Sequence, residues 1–327
     1  MRTPDFWFGE SPLAALLAPA GCLYAAGGRL KRSLQTPFSA QIPVICVGNL
    51  VAGGAGKTPV VQSLVRHLQS IGRKPHILLR GYGGREIGPL QVDPARHGFQ
   101  DVGDEALLHS AIAPTWVSQD RAKGASAALA KGADILVMDD GFQNAGLHQD
   151  LPLIVIDGAV GFGNGRVIPA GPLREPIKDG LARAKAVVLI GLDRTGVQAQ
   201  LGLLPVFKAR IESNAAPSLK DVRLVAFAGL GRPRKFFDTL RAMGAKMVSE
   251  HAFADHHPYS PGELNALLNE SNGAKARLIT TTKDHVRLPP GWADKVETLP
   301  VALVWENPDA LAILSEMALS SFHSRAS

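Results

Sequence analysis

Ile42-Pro43-Val44-Ile45-Cys46-Val47-Gly48-Asn49-Leu50-Val51-Ala52-Gly53-Gly54-Ala55-Gly56-Lys57-Thr58 is an apolar, β-branched run that empties into a glycine loop and ends on Gly-Lys-Thr. Ile42 to Val47 reads as a buried strand and Gly48 to Gly56 as a loop. Thr58 to Gln69 reads as a helix of 3.6-residue apolar period that stops near Gly72. In that setting the small residues have a physical purpose. They let backbone N–H groups crowd around the β- and γ-phosphates of a nucleotide, and the helix N-terminus adds partial positive charge. Lys57 is placed to reach the transferring phosphoryl group, and the Thr58 hydroxyl to ligate Mg²⁺. The expected nucleotide contacts are Val51, Ala52, Gly53, Gly54, Ala55, Gly56, Lys57 and Thr58. The strict P-loop spacing requires glycine where Val51 stands, so the loop entry must be shaped differently, with Gly48 further upstream. Ala52 occupies the position where one ATPase class carries a signature lysine, which disfavours that class.

Outward from this stretch the same alternation recurs. His76 to Leu79, Thr115 to Ser118, Ile135 to Met138, Leu153 to Ile156 and Ala186 to Ile190 read as strands, and Ser126 to Ala130 as helix. Strands without polar alternation are covered on both faces, which implies a parallel sheet between helix layers and an α/β fold of P-loop type. Ile135-Leu136-Val137-Met138 runs directly into Asp139-Asp140 at the C-terminal sheet edge, beside the phosphate loop. One of these carboxylates is expected on Mg²⁺ and the other to act through water; a surface turn is the alternative. From Leu204 to Ser213 charged residues interleave with apolar ones, and Asn214 to Pro217 reads as a linker. A second α/β unit opens at Leu224 to Phe227, followed by Gly229-Leu230-Gly231, a helix from Pro233 to Met243, a strand at Leu278 to Thr280 and a helix after Pro308. The expected organisation is an N-terminal helical segment (1–36), a P-loop domain (37–214) and a smaller α/β domain (215–327).

A chain of 327 residues exceeds what one core usually organises, which agrees with two domains. Cys22 and Cys46 provide neither a disulfide framework nor a metal-ligand spacing. The net charge of +6 favours anionic partners, but no dense basic run or base-stacking motif appears, so nucleic acid is disfavoured against an anionic membrane or a phosphorylated substrate. From Ser11 to Gly28 no side chain is charged; Leu13, Leu16, Leu17, Ala20, Leu23 and Tyr24 recur at helical spacing, and Arg29, Lys31 and Arg32 follow. Pro19 and Gly21 interrupt the stretch, and Asp5 and Glu10 precede it, which is unlike a secretory leader. The two readings are a helix lying at a membrane surface with its basic end at the headgroups, or a helix packed on the protein's own core.

The set Gly48-Asn49, Gly53 to Pro59, Arg80-Gly81-Tyr82-Gly83, Gly103-Asp104-Glu105, Asp139-Asp140-Gly141-Phe142-Gln143, Pro169 to Glu175, Asp255-His256-His257 and Thr281-Thr282-Lys283-Asp284 closely resembles, in order, the tetraacyldisaccharide 4'-kinase family of lipid A biosynthesis. The resemblance spans nearly the whole chain. It implies ATP-dependent phosphorylation of the 4'-hydroxyl of a lipid A disaccharide precursor, by a monotopic enzyme on the cytoplasmic face of the inner membrane. It also implies two α/β/α domains with the active site between them. Nothing calls for an obligate protein partner. Ala106 and Asn144 depart from residues frequent in the family, at positions to which no chemistry is assigned and where they bear on local loop geometry.

By the same resemblance Asp104 matches the family's proposed base and His256 its partner, with His257 the alternative histidine. Glu175 is implied at Mg²⁺ and Arg174 at phosphate; Arg80 and Arg121 are candidates for anionic substrate groups. Read without the resemblance, Asp104 is an ordinary helix entry, His256 a turn residue, and the arginines solvated charges. Thr281 to Asp284 superficially matches a guanine-specificity motif, but His285 stands where that motif needs Asp, so GTP is disfavoured. The competing reading is a switch-type P-loop ATPase serving a protein or metal partner at the membrane.

Overall fold

The computed structural model describes residues 4–213 and 218–326. Two sheets organise the chain. The larger contains, in chain order, β1 (Val44–Gly48), β2 (Pro75–Leu79), β3 (Leu90–Gln91), β4 (Thr115–Val117), β5 (Ile135–Asp139), β6 (Leu151–Asp157), β7 (Ala186–Ile190) and β8 (Val206–Ser213). The smaller contains β9 (Arg223–Ala228), β10 (Lys246–Ala252), β11 (Arg277–Thr281) and β12 (Glu297–Leu299), and β13 (Val301–Trp305) returns to the larger. The orders are β13-β8-β7-β6-β1-β5-β2-β4-β3 and β10-β9-β11-β12.

β1 lies at the centre of the larger sheet, flanked by β6 and β5, and every residue in it is buried. Successive side chains point to opposite faces, so Ile45 and Val47 enter one core layer while Val44 and Cys46 enter the other. This two-sided burial is why the strand reads as an unbroken apolar run. On the first face lies α2 (Lys57–Ser70), burying Val60, Val61, Leu64, Val65 and Leu68 at helical spacing. Each such side chain contributes about 1.5–3 kcal/mol of burial free energy. α5 (Arg121–Ala130) covers the other face through Ala125 and Ala128. It starts five residues earlier than the apolar pattern indicates, because Asp120 caps it by accepting from Ala122 and Lys123 backbone N–H groups. Two short helices, α3 (Phe99–Val102) and α4 (Asp104–Ser110), meet at Gly103, and α6 (Ile177–Leu181) precedes β7.

The smaller sheet is parallel throughout and is flanked by α7 (Pro233–Ala242) and α8 (Pro261–Gly273), followed after β11 by the single turn α9 (Thr282–His285). The smaller unit is bounded differently from the expected 215–327. β13 pairs antiparallel with β8, and α10 (Ala310–Ala326) buries Leu314 and Ala318 in the larger core beside α2. The reason is that β8 would otherwise be an open sheet edge. The linker expected at Asn214 to Pro217 lies outside the described residues.

α1 (Pro12–Ser33) is one continuous helix through Pro19 and Gly21. Gly21 allows close approach to the 160–172 segment: a Cβ there would sit 2.8 Å from the Val167 carbonyl oxygen. Only Ala14, Gly21 and Ala25 are buried, whereas Leu13, Leu16, Leu23, Tyr24 and Leu30 are exposed. The helix is long and apolar enough to cross a membrane by length and composition.

Candidate active site

The phosphate loop leaves β1 at Gly48, where the chain passes so close to the acidic turn that a Cβ would lie 2.4 Å from Phe142 Cβ. Asn49 then donates from Nδ2 to the carbonyls of Val51 (2.6 Å) and Gly53 (3.3 Å), curling the loop. Val51 makes a bridge with Leu173, and Ala52 N–H donates to Pro172 O (2.7 Å). The missing glycine at position 51 is thereby explained: an extended residue docked on a neighbouring segment replaces the usual turn. Gly53 (φ 119°) and Gly56 (φ 82°) adopt left-handed backbone that side chains disfavour, and Gly56 also abuts Ile190.

β5 pairs with β1 so that Asp139 lies opposite Val47, and Asp140 N–H donates to Val47 O (2.9 Å). That register sets the acidic pair beside the loop, yet the two carboxylates have different surroundings. Asp140, at φ 52°, faces Lys57 Nζ (3.3 Å) and accepts from Arg174 Nη1 (2.9 and 3.0 Å). Burial alone would push its carboxyl up, but the charges of Lys57 and Arg174 outweigh it and hold it below the usual carboxylate range. Asp139 is buried; its Oδ2 lies 2.8 Å from His109 Nε2, and its Oδ1 has no hydrogen-bond partner among the described residues. Asp139 is therefore buried and Asp140 is held by two cations beside the glycine loop, which is unlike a solvated surface turn.

The arginines divide. Arg80 is exposed, whereas Arg121 is buried and donates from Nη1 to Ser118 O. Burial pushes the Arg121 guanidinium down to about 10, with the Arg80 charge adding to the shift and nearby Cys46, Asp140 and Asp139 opposing it. Arg121 is thus not a solvated surface charge. Glu175 departs from its expected metal position: it is buried, accepts from Arg183 at both oxygens (2.7 and 2.9 Å) and from Gln143 Nε2 (3.1 Å), and lies 3.4 Å from Arg32 at the end of α1. A cation at Glu175 would have to compete with two guanidinium groups.

The second half of the site joins the two units. Gly103 (φ 86°) sits against the Tyr82 carbonyl, and α4 begins at Asp104. Asp104 is buried; His256 Nδ1 donates to its Oδ2 (2.9 Å), and Glu105 N–H donates to its Oδ1 (2.9 Å). His256 is itself in left-handed backbone (φ 58°), and the exposed Tyr82 ring meets it edge-on at 5.9 Å. His257 turns away: its Nε2 pairs with Glu263 (3.0 Å), and its ring stacks on Phe253. The two histidines are thus distinguished by geometry. His109 follows Asp104 by five residues on α4, about 7.5 Å of helix rise at 1.5 Å per residue, and contacts Asp139, so α4 links the Asp104–His256 pair to the acidic turn.

Two cations from the smaller unit complete the arrangement. Lys283 Nζ lies 3.1 Å from Glu105 Oε1, and Arg287 Nε 3.5 Å from Asp104 Oδ2. Burial would raise the Asp104 carboxyl, but the His256 hydrogen bond and the charges of Lys283, His256 and Arg287 hold it below its ordinary range. Burial would lower the Lys283 ammonium, but Glu105 and Asp104 raise it. Sequence reasoning assigned no role to His109, Lys283 or Arg287. Lys283 lies within a quoted motif, but nothing local marks the other two.

Comparison with known proteins bears on the whole chain. A family profile described as "Tetraacyldisaccharide-1-P 4'-kinase" matches residues 13–318. A tetraacyldisaccharide 4'-kinase of Rhodospirillum centenum is 53% identical, with 98% of this chain and 97% of that one covered. One from Paramagnetospirillum magneticum is 50% identical over 96% and 98% respectively. The crystal structure of LpxK from Aquifex aeolicus in complex with ATP superposes with a TM-score of 0.77 at 28% identity, covering 94% of this chain and 99% of that one. The coverage at both ends, and the match of both units in one alignment, establish that this chain belongs to the tetraacyldisaccharide-1-P 4'-kinase family.

Proposed function

We propose that the chain transfers the γ-phosphoryl group of ATP to the 4'-hydroxyl of a tetraacyldisaccharide 1-phosphate, a step of lipid A biosynthesis, with Lys57, Asp104 and His256 carrying the chemistry. The observation that carries this assignment is the contact between Asp104 and His256 across the two units, 2.9 Å long, made from the helix whose His109 touches Asp139. A hydroxyl is a weak nucleophile at neutral pH, and phosphoryl transfer depends on positioning and charge neutralisation. The buried Asp104 carboxylate, kept ionised by its neighbours, is the acceptor for the hydroxyl proton, and the imidazole of His256 orients it. Residues 51–58 cradle the phosphates, with Lys57 released from Asp140 to the γ-phosphate. Arg174, Arg121 and Arg80 supply further positive charge.

The donor set fits Mg²⁺. The Thr58 hydroxyl, the Asp140 carboxylate and the partnerless Asp139 Oδ1 are oxygen donors of the kind this cation selects. Among the described residues no group of three His, Cys, Asp or Glu side chains could hold a metal, and a cation on these donors would take its remaining ligands from phosphate oxygens and water. When bound, Mg²⁺ neutralises charge on the β- and γ-phosphates.

The exposed leucines of α1 and the exposed Lys31 at its end support seating at the cytoplasmic face of the inner membrane, beside the acyl chains of the acceptor, while Arg29 and Arg32 pair with Asp179 and Glu175. The test is transfer of labelled γ-phosphate from ATP to tetraacyldisaccharide 1-phosphate in detergent micelles by wild type and Lys57→Ala. A phosphorylated lipid from wild type alone supports the kinase. ATP hydrolysis without lipid product favours a switch-type ATPase and withdraws Asp104 and His256.

A further inference from the structure

Arg287 is one of the most deeply buried large side chains of the protein, with 1% of its surface exposed, and the chemistry described above makes no use of it. A buried guanidinium is costly unless its donors are satisfied. Here they are met mainly from its own unit. Nη2 donates to Asp284 Oδ1 (2.9 Å) and Gly229 O (3.2 Å), Nε to Lys283 O (3.2 Å), and Nη1 to His257 O (3.5 Å). Asp284 is fixed in turn by the Tyr259 hydroxyl (2.7 Å) and Gly229 N–H (2.8 Å). The cation's place is therefore set before Asp104 is considered, and Asp104 Oδ2, 3.5 Å from Nε, is the contact that crosses to the other unit.

We propose that Arg287 is the positioning residue of the Asp104–His256 pair, holding the carboxylate and the histidine-bearing loop in one geometry. The proposal rests on the reading of that pair given above. The same guanidinium touches Asp104 and the carbonyl next to His256, so one rigid group registers both partners. His256 needs such support, since its left-handed backbone is unfavourable for a non-glycine residue. Its N–H donates to Gly229 O (3.2 Å), the carbonyl that also accepts from Arg287. The planar fork matters as well as the charge: lysine can supply one ammonium but cannot span Asp284, Gly229 and Asp104 together.

The charged and titratable groups around Asp104 come from every neighbouring element. They are Glu105 on α4, Asp255 and His256 on the loop after β10, Lys283 and Asp284 on α9, Arg287 beyond it, and Tyr82 against the His256 ring. Removing Arg287 takes away one of the cations facing the carboxylate and leaves Lys283 and His256. The Asp104 carboxyl must then rise, and the acid limb of kcat must move to higher pH.

The experiment uses the full-length protein in detergent micelles with ATP and tetraacyldisaccharide 1-phosphate. Arg287→Lys and Arg287→Gln are each measured alone and combined with Asp104→Ala, with thermal unfolding checked for every variant. Both substitutions are expected to lower kcat by about 10–100-fold while KM for ATP stays within about twofold. The acid limb moves upward for Arg287→Gln and not for Arg287→Lys, and neither change costs further activity once Asp104 is absent. Equal fold-losses with and without Asp104, or an unmoved acid limb in a folded Arg287→Gln protein, overturn the positioning role. If Arg287→Gln does not fold, the cycle with Arg287→Lys decides by the same criterion. Near-wild-type turnover of Asp104→Ala alone overturns the reading of the pair, and the proposal with it; a crippled Asp104→Ala with an additive cycle overturns only Arg287.

Discussion

Replacing Asp140 by Asn should tighten metal-free ATP binding while abolishing most turnover. Asp140 holds two cations, Lys57 at 3.3 Å and Arg174 at 2.9 Å. Nucleotide phosphates must win Lys57 from that carboxylate and also approach a negative charge. Coulomb's law for one charge pair at 3.3 Å gives about 5 kcal/mol at an effective dielectric of ~20. The Asp140 side chain is 35% exposed, so solvent screening leaves a fraction of this, about 1–1.5 kcal/mol. That corresponds to roughly tenfold in affinity. Asparagine tolerates the left-handed backbone at this position (φ 52°), so the substitution changes charge with little strain. The assay is calorimetric ATP binding in excess chelator, wild type against Asp140→Asn, with turnover measured separately in Mg²⁺. Unchanged or weaker metal-free binding by the variant refutes the idea that Asp140 restrains Lys57.

Asp104→Ala should lower kcat by ~10²–10⁴ with little change in KM for ATP, and steady-state kinetics showing near-wild-type turnover would remove Asp104 from the proton-accepting role. Because the Asp104 carboxyl is held below its ordinary range, its stabilising contribution is present above the unfolded pKa of about 4 and is lost as pH falls through the lower folded value. The stability gap between wild type and Asp104→Asn in urea titrations should therefore shrink in acid, and a gap independent of pH between about 3 and 6 contradicts the electrostatic account. Gly48→Ala puts a Cβ 2.4 Å from Phe142 Cβ and should cost about 1–3 kcal/mol in denaturant unfolding and weaken ATP binding; a neutral result means the acidic turn is free to move away. Deleting residues 1–36 should reduce cosedimentation with anionic vesicles more than it reduces ATP binding, and equal cosedimentation argues against α1 as the anchor.

The parts of this fold that could be read from sequence are those whose cause is local. β1, the glycine loop and α2 are consecutive, and their periodicity changes within about twenty residues. β5 runs into Asp139-Asp140 without a break, so the carboxylates' place at the sheet edge follows from the strand itself. What escaped was set by contacts distant in sequence. His109 meets Asp139 from a helix whose short pattern carries no sign of that partner. Arg287 reads as an isolated charge after Val286, and only packing of Gly229, His257 and Asp284 around it reveals a buried cation. β10 alternates half-buried and exposed residues around Ser249, Glu250 and His251, which is the pattern of a sheet edge and is easily taken for loop. The expected domain boundary failed for a similar reason: the departure from the larger unit changes local composition, but the return at Val301 is a five-residue strand after Pro300, and its partner β8 lies about ninety residues earlier.

That return constrains how the two halves of the site can move. Ser213 at the end of β8 lies opposite Val301 at the start of β13, so the chain leaves and re-enters the larger sheet at adjacent, hydrogen-bonded positions. A unit entered from one strand and left by its neighbour is tethered to the larger sheet at one place. The contacts at the far end are polar: His256 to Asp104, Lys283 to Glu105 and Arg287 to Asp104. The Lys283–Glu105 pair is part-exposed and individually modest, whereas Arg287–Asp104 is buried and depends on its geometry, and the core clusters of the two units are separate apolar bodies. The pair proposed as proton acceptor thus forms where two separate apolar bodies meet through polar contacts sensitive to geometry, which suits a site proposed to open for a nucleotide and a lipid and close to react.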